Sequence, residues 1–393
     1  MRVLCVFGKH QYGDPSRGLG IEYISFIPAL KKLGHEVLHF ESWDKDNYKD
    51  FSDLNKKLLE TVITFEPKIV LTVHMSYEIW AETIDIISAR DGVKTISWAA
   101  DDSWKYKEVS RFIGRHYHAM TTTYDYIVPR YHKDGIRNVL LTQWAAPENW
   151  LSEPLPAKDC QYEVSFVGAA HGSRIKRVEE LKKNGIEVTC FGHGWPAGPV
   201  PAERIPFIIR NSKISLNFAN SYGENQIKAR TFEVPGCGGF LVTENARNIE
   251  KFYENGKEVI IFDTDKELED LIKYYLANPE ERDDIAQNGF SRTAREHTYV
   301  NRMESILNYS SSVEPYNRKK NNNSSLEKSI KYHRKTYLLT AIRKIICGLL
   351  CVIFGKRRGP RAARRLVFGL SWRFLGHHTF TAKGFPGRMF PDL

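Results

Sequence analysis

The sequence predicts an α/β fold of two parallel sheets in series, each wrapped by helices, followed by a basic amphipathic helical tail. Three observations lead there: short β-branched runs alternate with amphipathic stretches, the alternation restarts after a proline-bearing segment, and positive charge collects at one end of the chain. Alternation of this kind argues for parallel strands joined by crossover helices. A chain of 393 residues is too long for one comfortable core and suits two domains with an appendage. With 42% hydrophobic and 12% aromatic residues it reads as globular.

Taken in order, strands are expected at 3–8, 36–40, 68–73, 94–99, 119–123 and 138–143, with helices at 21–33 and 51–65 between them. Pro147, Pro154 and Pro156 mark a linker over 147–159. The series then restarts with strands at 163–167, 187–191, 214–218, 240–243 and 258–262, and helices at 266–277 and 279–296 close it. Two such sheets suggest two Rossmann-like domains, 1–150 and 160–310, with a cleft between them. Residues 310–325 are rich in Ser, Asn and Lys and read as linker, drawn at 311–335. The tail is 336–393.

Charge divides along the same line. Residues 311–393 hold 18 Lys/Arg and 3 Asp/Glu, a net of +15, whereas the whole chain carries +10, so the body is near −5. Global basicity is therefore no argument for nucleic acid, and none is expected as a partner. In the tail, the apolar run 345–355 would be about 16 Å long as a helix, against roughly 30 Å of hydrocarbon. Arg343 and Lys344 argue further against spanning. Basic clusters beside apolar stretches suit an anionic membrane surface instead; the alternative is a small helical subdomain packed on the body. On the membrane reading, a truncation at Ser310 leaves a soluble body. Six cysteines follow no metal or disulfide spacing, and the N-terminal apolar run is too short for a secretory signal. A cytoplasmic protein on the inner face of the membrane is expected.

Parallel sheets bind ligands at the carboxyl ends of their strands, so the loops there hold the candidates. After the first strand, Gly18 and Gly20 precede a helix whose amides can face an anion. His74 follows the third strand, and Asp101 and Asp102 follow the fourth, flanked by Trp98 and Trp104. A carboxylate pair or a histidine can take a proton from an acceptor hydroxyl or bind it. In the second domain, Arg174 and Lys176 stand at a helix start after a glycine-containing loop, which suits a diphosphate. Residues 217–225 form a polar loop with Asn220, Tyr222 and Glu224. Then come Lys228, Arg230 and Glu233 on a short helix, a glycine-rich turn that lets backbone approach a ligand, and a buried strand. Cations there fit a diphosphate, and a carboxylate fits two ribose hydroxyls.

The run Arg230-Thr-Phe-Glu-Val-Pro-Gly-Cys-Gly-Gly-Phe-Leu-Val-Thr-Glu244, followed by Glu296-His-Thr-Tyr299 and Arg302, resembles the donor-binding domain of the spore-maturation CgeB-like glycosyltransferases. The similarity is best over 162–307, extends over 1–150 and does not reach the tail. It implies the GT-B fold of two facing Rossmann domains, with the acceptor on the first and a nucleotide-diphosphate sugar on the second. By resemblance, the loop of Gly18 and Gly20 faces the donor phosphates and sugar, Arg174 with Lys176 holds the diphosphate, loop 191–195 meets the base, and Glu233 matches the second of two glutamates eight positions apart. The first falls on Asn225, with Glu224 beside it. The expected activity is hexosyl transfer to a glycan or lipid-linked acceptor. It would need no metal and no cofactor, because cations and helix N-termini stabilise the leaving diphosphate. Rival readings are a nucleotide-sugar sensor or scaffold and a double-Rossmann sugar-nucleotide epimerase.

Overall fold

The computed structural model describes residues 1–99, 101–219, 225–313 and 323–391. Asn220, Tyr222 and Glu224 lie outside the described residues. The chain divides into two compact units: unit 1 is 1–143 with 304–393, and unit 2 is 144–303.

Unit 1 contains a six-stranded parallel sheet, β1 (Arg2–Phe7), β2 (Glu36–Glu41), β3 (Ile69–Thr72), β4 (Lys94–Ala99), β5 (Ala119–Thr122) and β6 (Val139–Leu141), in the order β2-β1-β3-β4-β5-β6. In register, Val3 sits between Val37 and Ile69. The first three helices are α1 (Ile21–Lys32), α2 (Phe51–Phe65) and α3 (Ala81–Ser88). β1, β3 and β5 are almost wholly buried, and β1 and β3 read as apolar runs in the sequence for that reason.

Unit 2 holds β7 (Tyr162–Val167), β8 (Thr189–Phe191), β9 (Ser212–Asn217), β10 (Leu241–Glu244) and β11 (Ile260–Phe262), all parallel, in the order β11-β10-β9-β7-β8. Its main helices are α4 (Arg174–Lys183), α5 (Arg230–Gly236), α6 (Asp265–Ala277) and α7 (Pro279–Glu296). The segment expected as a free linker is bound into this unit. Fully buried Arg282 donates to the carbonyls of Leu155 and Ser212, and Asp283 accepts from the Ala157 amide.

The next helix, α8 (Tyr299–Ser312), contains the division between the units. The expected linker is also partly helical, as α9 (Asn323–His333). Beyond it, α10 (Tyr337–Leu375) is long and apolar enough to cross a membrane, but Gly355 breaks it with φ +78°. Leu339, Ile346 and Leu350 of the first half pack with Ala363 and Val367 of the second, so α10 is a hairpin. A Cβ on Gly359 would lie 2.6 Å from Cα of Cys351, so only glycine permits this approach. The tail is not a detached appendage: Leu326, Phe380 and Ala382 belong to the core of unit 1.

Candidate functional site

Each sheet reverses its strand order once, and an open α/β sheet binds ligands outside the carboxyl ends at that point. In unit 1 the reversal falls between β1 and β3, and in unit 2 between β7 and β9.

At the unit 2 reversal, Arg174 bridges the two strand ends. Its Nη1 donates to the carbonyl of Ala169 (3.1 Å), in the loop after β7, and Nη2 to that of Phe218 (2.8 Å), after β9. Its Nε–H is buried without a partner among the described residues. Arg230, in the first turn of α5, donates from Nε to the carbonyl of Val167, the last residue of β7 (3.1 Å). Burial pushes Arg230 down to about 10, and Arg174 adds to the push. Two half-buried guanidinium groups thus meet at the strand ends, an arrangement that a bound anion would stabilise. Lys176 points to solvent and joins neither contact, whereas Arg177 is ion-paired to Glu244 and Asp265. Loop 191–195 is laced to the loop after β7 by Trp195, whose indole N–H donates to Gly168 (2.8 Å), and by the Ala170 amide on His193.

Glu233 is 2% exposed and ion-paired to Arg230, so the structure joins the cation and the carboxylate that the sequence assigned to separate ligand groups. Lys228 precedes α5 and is half-buried. The glycine-rich turn after α5 admits the chain's own backbone. Cβ atoms on Gly236, Gly238 and Gly239 would meet Ala146 at 2.5 Å, the Ser152 carbonyl at 2.5 Å and Ile209 at 2.6 Å. The Glu296–Arg302 part of the motif is also structural. His297 packs edge-on against Phe232 of α5 and bonds the Phe252 carbonyl, and Arg302 lies over the Phe232 ring.

At the unit 1 reversal there is a cavity of about 390 Å³, lined by loop residues Tyr12, Gly20, Trp43, His74, Asp101 and Trp104 among others. Gly18 supports this loop with φ +81° and its carbonyl accepts from the Gln11 amide, but it does not line the cavity. His74 bonds the Tyr117 hydroxyl through Nε2 (2.6 Å), and burial pushes its pKa down to about 3. The imidazole is therefore neutral near pH 7 and suits hydrogen bonding better than proton abstraction. The expected carboxylate pair is split. Asp101 faces the cavity and solvent, while Asp102 turns into the core to accept from Ser110 and Tyr131. The reason is local: the helical turn Asp102–Lys105 begins between them and sends adjacent side chains in different directions. Trp98 is buried edge-on against Phe26, whereas Trp104 is 53% exposed, so of these two Trp104 offers the open aromatic face.

The sequence reading missed two carboxylates. Glu22, in the first turn of α1, lines the cavity, and burial raises its pKa. Its only sequence signal is its place two residues after Gly20. Glu78, fully buried, accepts the Met75 and Ser76 amides and so shapes the His74 loop. Asp102 offers a test of the electrostatics. Burial raises it to about 6 from 3.8, so the folded state holds its proton more tightly than the unfolded chain does. Its contribution is complete below pH 3.8 and is lost as pH rises through 6. Wild type should therefore lose stability relative to Asp102→Asn between pH 4 and pH 7. Thermal melts showing a constant gap would remove burial as the cause.

Residues 174–308 match the protein family described as glycosyl transferase-like. Comparison with curated protein sequences finds no match. Among solved structures, a glycosyltransferase from Rickettsia africae aligns with TM-score 0.54 at 12% identity, covering 79% of this chain and 98% of that one. HepE of Anabaena, crystallised with UDP-glucose, aligns with TM-score 0.53 at 11% identity over 78% and 100%. TarM gives 0.51 at 11% over 66% of this chain, which spans 58% of TarM's length. The fold is GT-B, two Rossmann-like units with a long helix near the C-terminal end.

Proposed function

We propose that this chain, whose unit 2 carries a glycosyl transferase-like domain in a GT-B fold, moves a hexosyl group from a nucleotide-diphosphate sugar to an acceptor hydroxyl. The observation that carries the reading is the Arg174–Arg230 pair at the strand-order reversal of unit 2, with one guanidinium N–H of Arg174 unpaired among the described residues. In the reaction the bond from the sugar's anomeric carbon to the diphosphate oxygen breaks, and a bond to the acceptor oxygen forms. Charge grows on the leaving diphosphate, and the acceptor's proton passes to a base. Arg174 and Arg230 take the diphosphate charge without a metal, Lys228 adds a third cation, and the loop of Gly18 and Gly20 faces the donor phosphates and sugar. Asp101 and Glu22 are the carboxylates able to receive the proton, with His74 and Trp104 orienting the acceptor. Because HepE was crystallised with UDP-glucose, a uridine-diphosphate sugar heads the donors to be tried.

Glu233 acts on the donor ribose and holds Arg230 in place. Glu233→Gln is expected to weaken donor binding by about 1.5–3 kcal/mol, the range for charged hydrogen bonds. Calorimetry giving wild-type affinity would remove Glu233 from the site.

The test of the whole reading is release of free nucleotide by the full-length chain from a panel of nucleotide sugars. Slow hydrolysis of one donor supports transfer. Tight binding without release points to a sensor, a reading favoured by Asn225 where the resembled group has a glutamate, and interconversion of donors points to an epimerase. We further place the protein on the inner, anionic leaflet. Leu338, Ile342, Ile345, Leu349 and Val352 form an exposed stripe along the first half of α10, and basic residues follow from Lys356 onward. Such a stripe lies in the interface plane and inserts its apolar side.

A further inference from the structure

We propose that unit 1 has a second site, an arginine-lined groove beside the 390 Å³ cavity, that binds the phosphate linking the acceptor to its lipid. The inference rests on the transferase reading and adds the acceptor's chemical class, a sugar or alcohol carried on a lipid phosphate. The groove is about 760 Å³, and its walls come from two parts of the unit. One wall is the tail, with Arg343, Arg361, Arg364 and Arg365; the other is the loop segments 12–17 and 44–46. Arg361 and Arg365, one helical turn apart, are exposed.

Charge and position together select the ligand. Among the described residues, six cationic side chains line the groove against three carboxylates, and setting aside the ion pair of Arg17 with Asp14 leaves five cations against Asp44 and Asp46. Guanidinium groups match phosphate oxygens in geometry, and a cluster of them suits a phosphate more than a single carboxylate. The groove and the cavity share Tyr12, Trp43 and Met75, so one ligand can occupy both. Tyr12 is 71% exposed and stands at that junction in a left-handed conformation, φ +57°. The helix that supplies the arginines also carries exposed Leu366, Leu370 and Phe374 at i, i+4 and i+8. A molecule with a polar head, a phosphate and an apolar chain has matching surfaces in that order: cavity, arginine groove, apolar helix. A soluble phosphosugar would use only the first two.

The test uses full-length protein and neutral phosphatidylcholine vesicles doped with either polyprenyl diphosphate or phosphatidylglycerol at equal charge. Wild type should bind the polyprenyl diphosphate vesicles about tenfold more tightly, the scale of one charge-assisted hydrogen bond. The Arg361→Gln/Arg365→Gln variant should lose that preference yet still sediment with phosphatidylglycerol vesicles through its apolar stripe. Equal binding of both vesicles by wild type would mean that the groove senses only bulk anionic headgroups, and the proposal falls. It falls also if the variant keeps the preference, or if inorganic diphosphate in solution abolishes it at concentrations comparable to the lipid's. Failure of the transferase reading looks different: no nucleotide is released from any donor while the lipid preference persists.

Discussion

Replacing Arg174 with alanine is expected to lower kcat about 100- to 1,000-fold, the cost of one preorganised donor to developing charge, while the KM for the donor moves far less. Charge on the diphosphate is greater in the transition state than in the bound donor, so a cation there acts mainly on the chemical step. Arg174 also ties together the Ala169 and Phe218 carbonyls, so its loss can disturb the loops as well as the charge. Arg174→Lys separates the two effects. It retains the cation but cannot span both carbonyls in a planar fork, and it should fall between wild type and alanine. Steady-state kinetics, with circular dichroism to confirm folding, decide the matter. A raised KM with normal kcat would place Arg174 in uniform binding and overturn its assignment.

The second large effect concerns the tail. Ending the chain at Ser310 should unfold unit 1, contrary to the soluble body that the sequence suggested. The excised part supplies Phe380, stacked on Phe112 at 5.6 Å, and Phe368, against Tyr77 at 5.5 Å. His333 sits 4.8 Å from the Trp80 ring and bonds the Ala382 carbonyl, and the Ala382 amide donates to Glu82. Deleting one large buried aromatic side chain costs about 3–5 kcal/mol, and here several go together, against a typical domain stability of about 5–15 kcal/mol. Phe380→Ala in the full chain is the milder version, expected to lose about 3–5 kcal/mol. A truncated protein that melts cooperatively at the wild-type temperature would show the tail to be dispensable for folding.

Every strand among the described residues could be read from the sequence to within two residues at each end, because buried parallel strands are short apolar or β-branched runs between turn residues. The helices at 51–65 and 279–296 were equally legible from their periodicity. Helix α9 was not. Its Ser/Asn/Lys composition resembles a linker, and its burial depends on residues far away, such as Ala382 on His333. The same limit explains the site. The ion pair of Arg230 and Glu233, three positions apart on α5, follows from helical spacing, but the bond from Arg230 to the Val167 carbonyl depends on a strand far away in the sequence. Asp101 and Asp102 looked equivalent in sequence and differ only in the direction each side chain takes. Glu22 and Glu78 were single carboxylates in apolar surroundings, with nothing nearby to suggest that they line or shape a cavity. The glycines after α5 were noticed for the right reason, close approach, but they admit the chain itself.

Unit 1 is assembled from two separated stretches, 1–143 and 304–393, with unit 2 complete between them. Synthesis at about 5–20 residues per second therefore leaves the six-stranded sheet waiting tens of seconds for the segment that covers Trp80 and Phe112. Unit 2 has all its strands within one continuous stretch and can close in that interval. The half-finished sheet exposes apolar surface until the α10 hairpin leaves the ribosome, and that hairpin joins a long apolar run to a dense set of basic residues. On the proposed membrane reading, its emergence completes a fold and a membrane-binding surface in one event. On that reading, newly made protein should bind lipid as soon as unit 1 is stable.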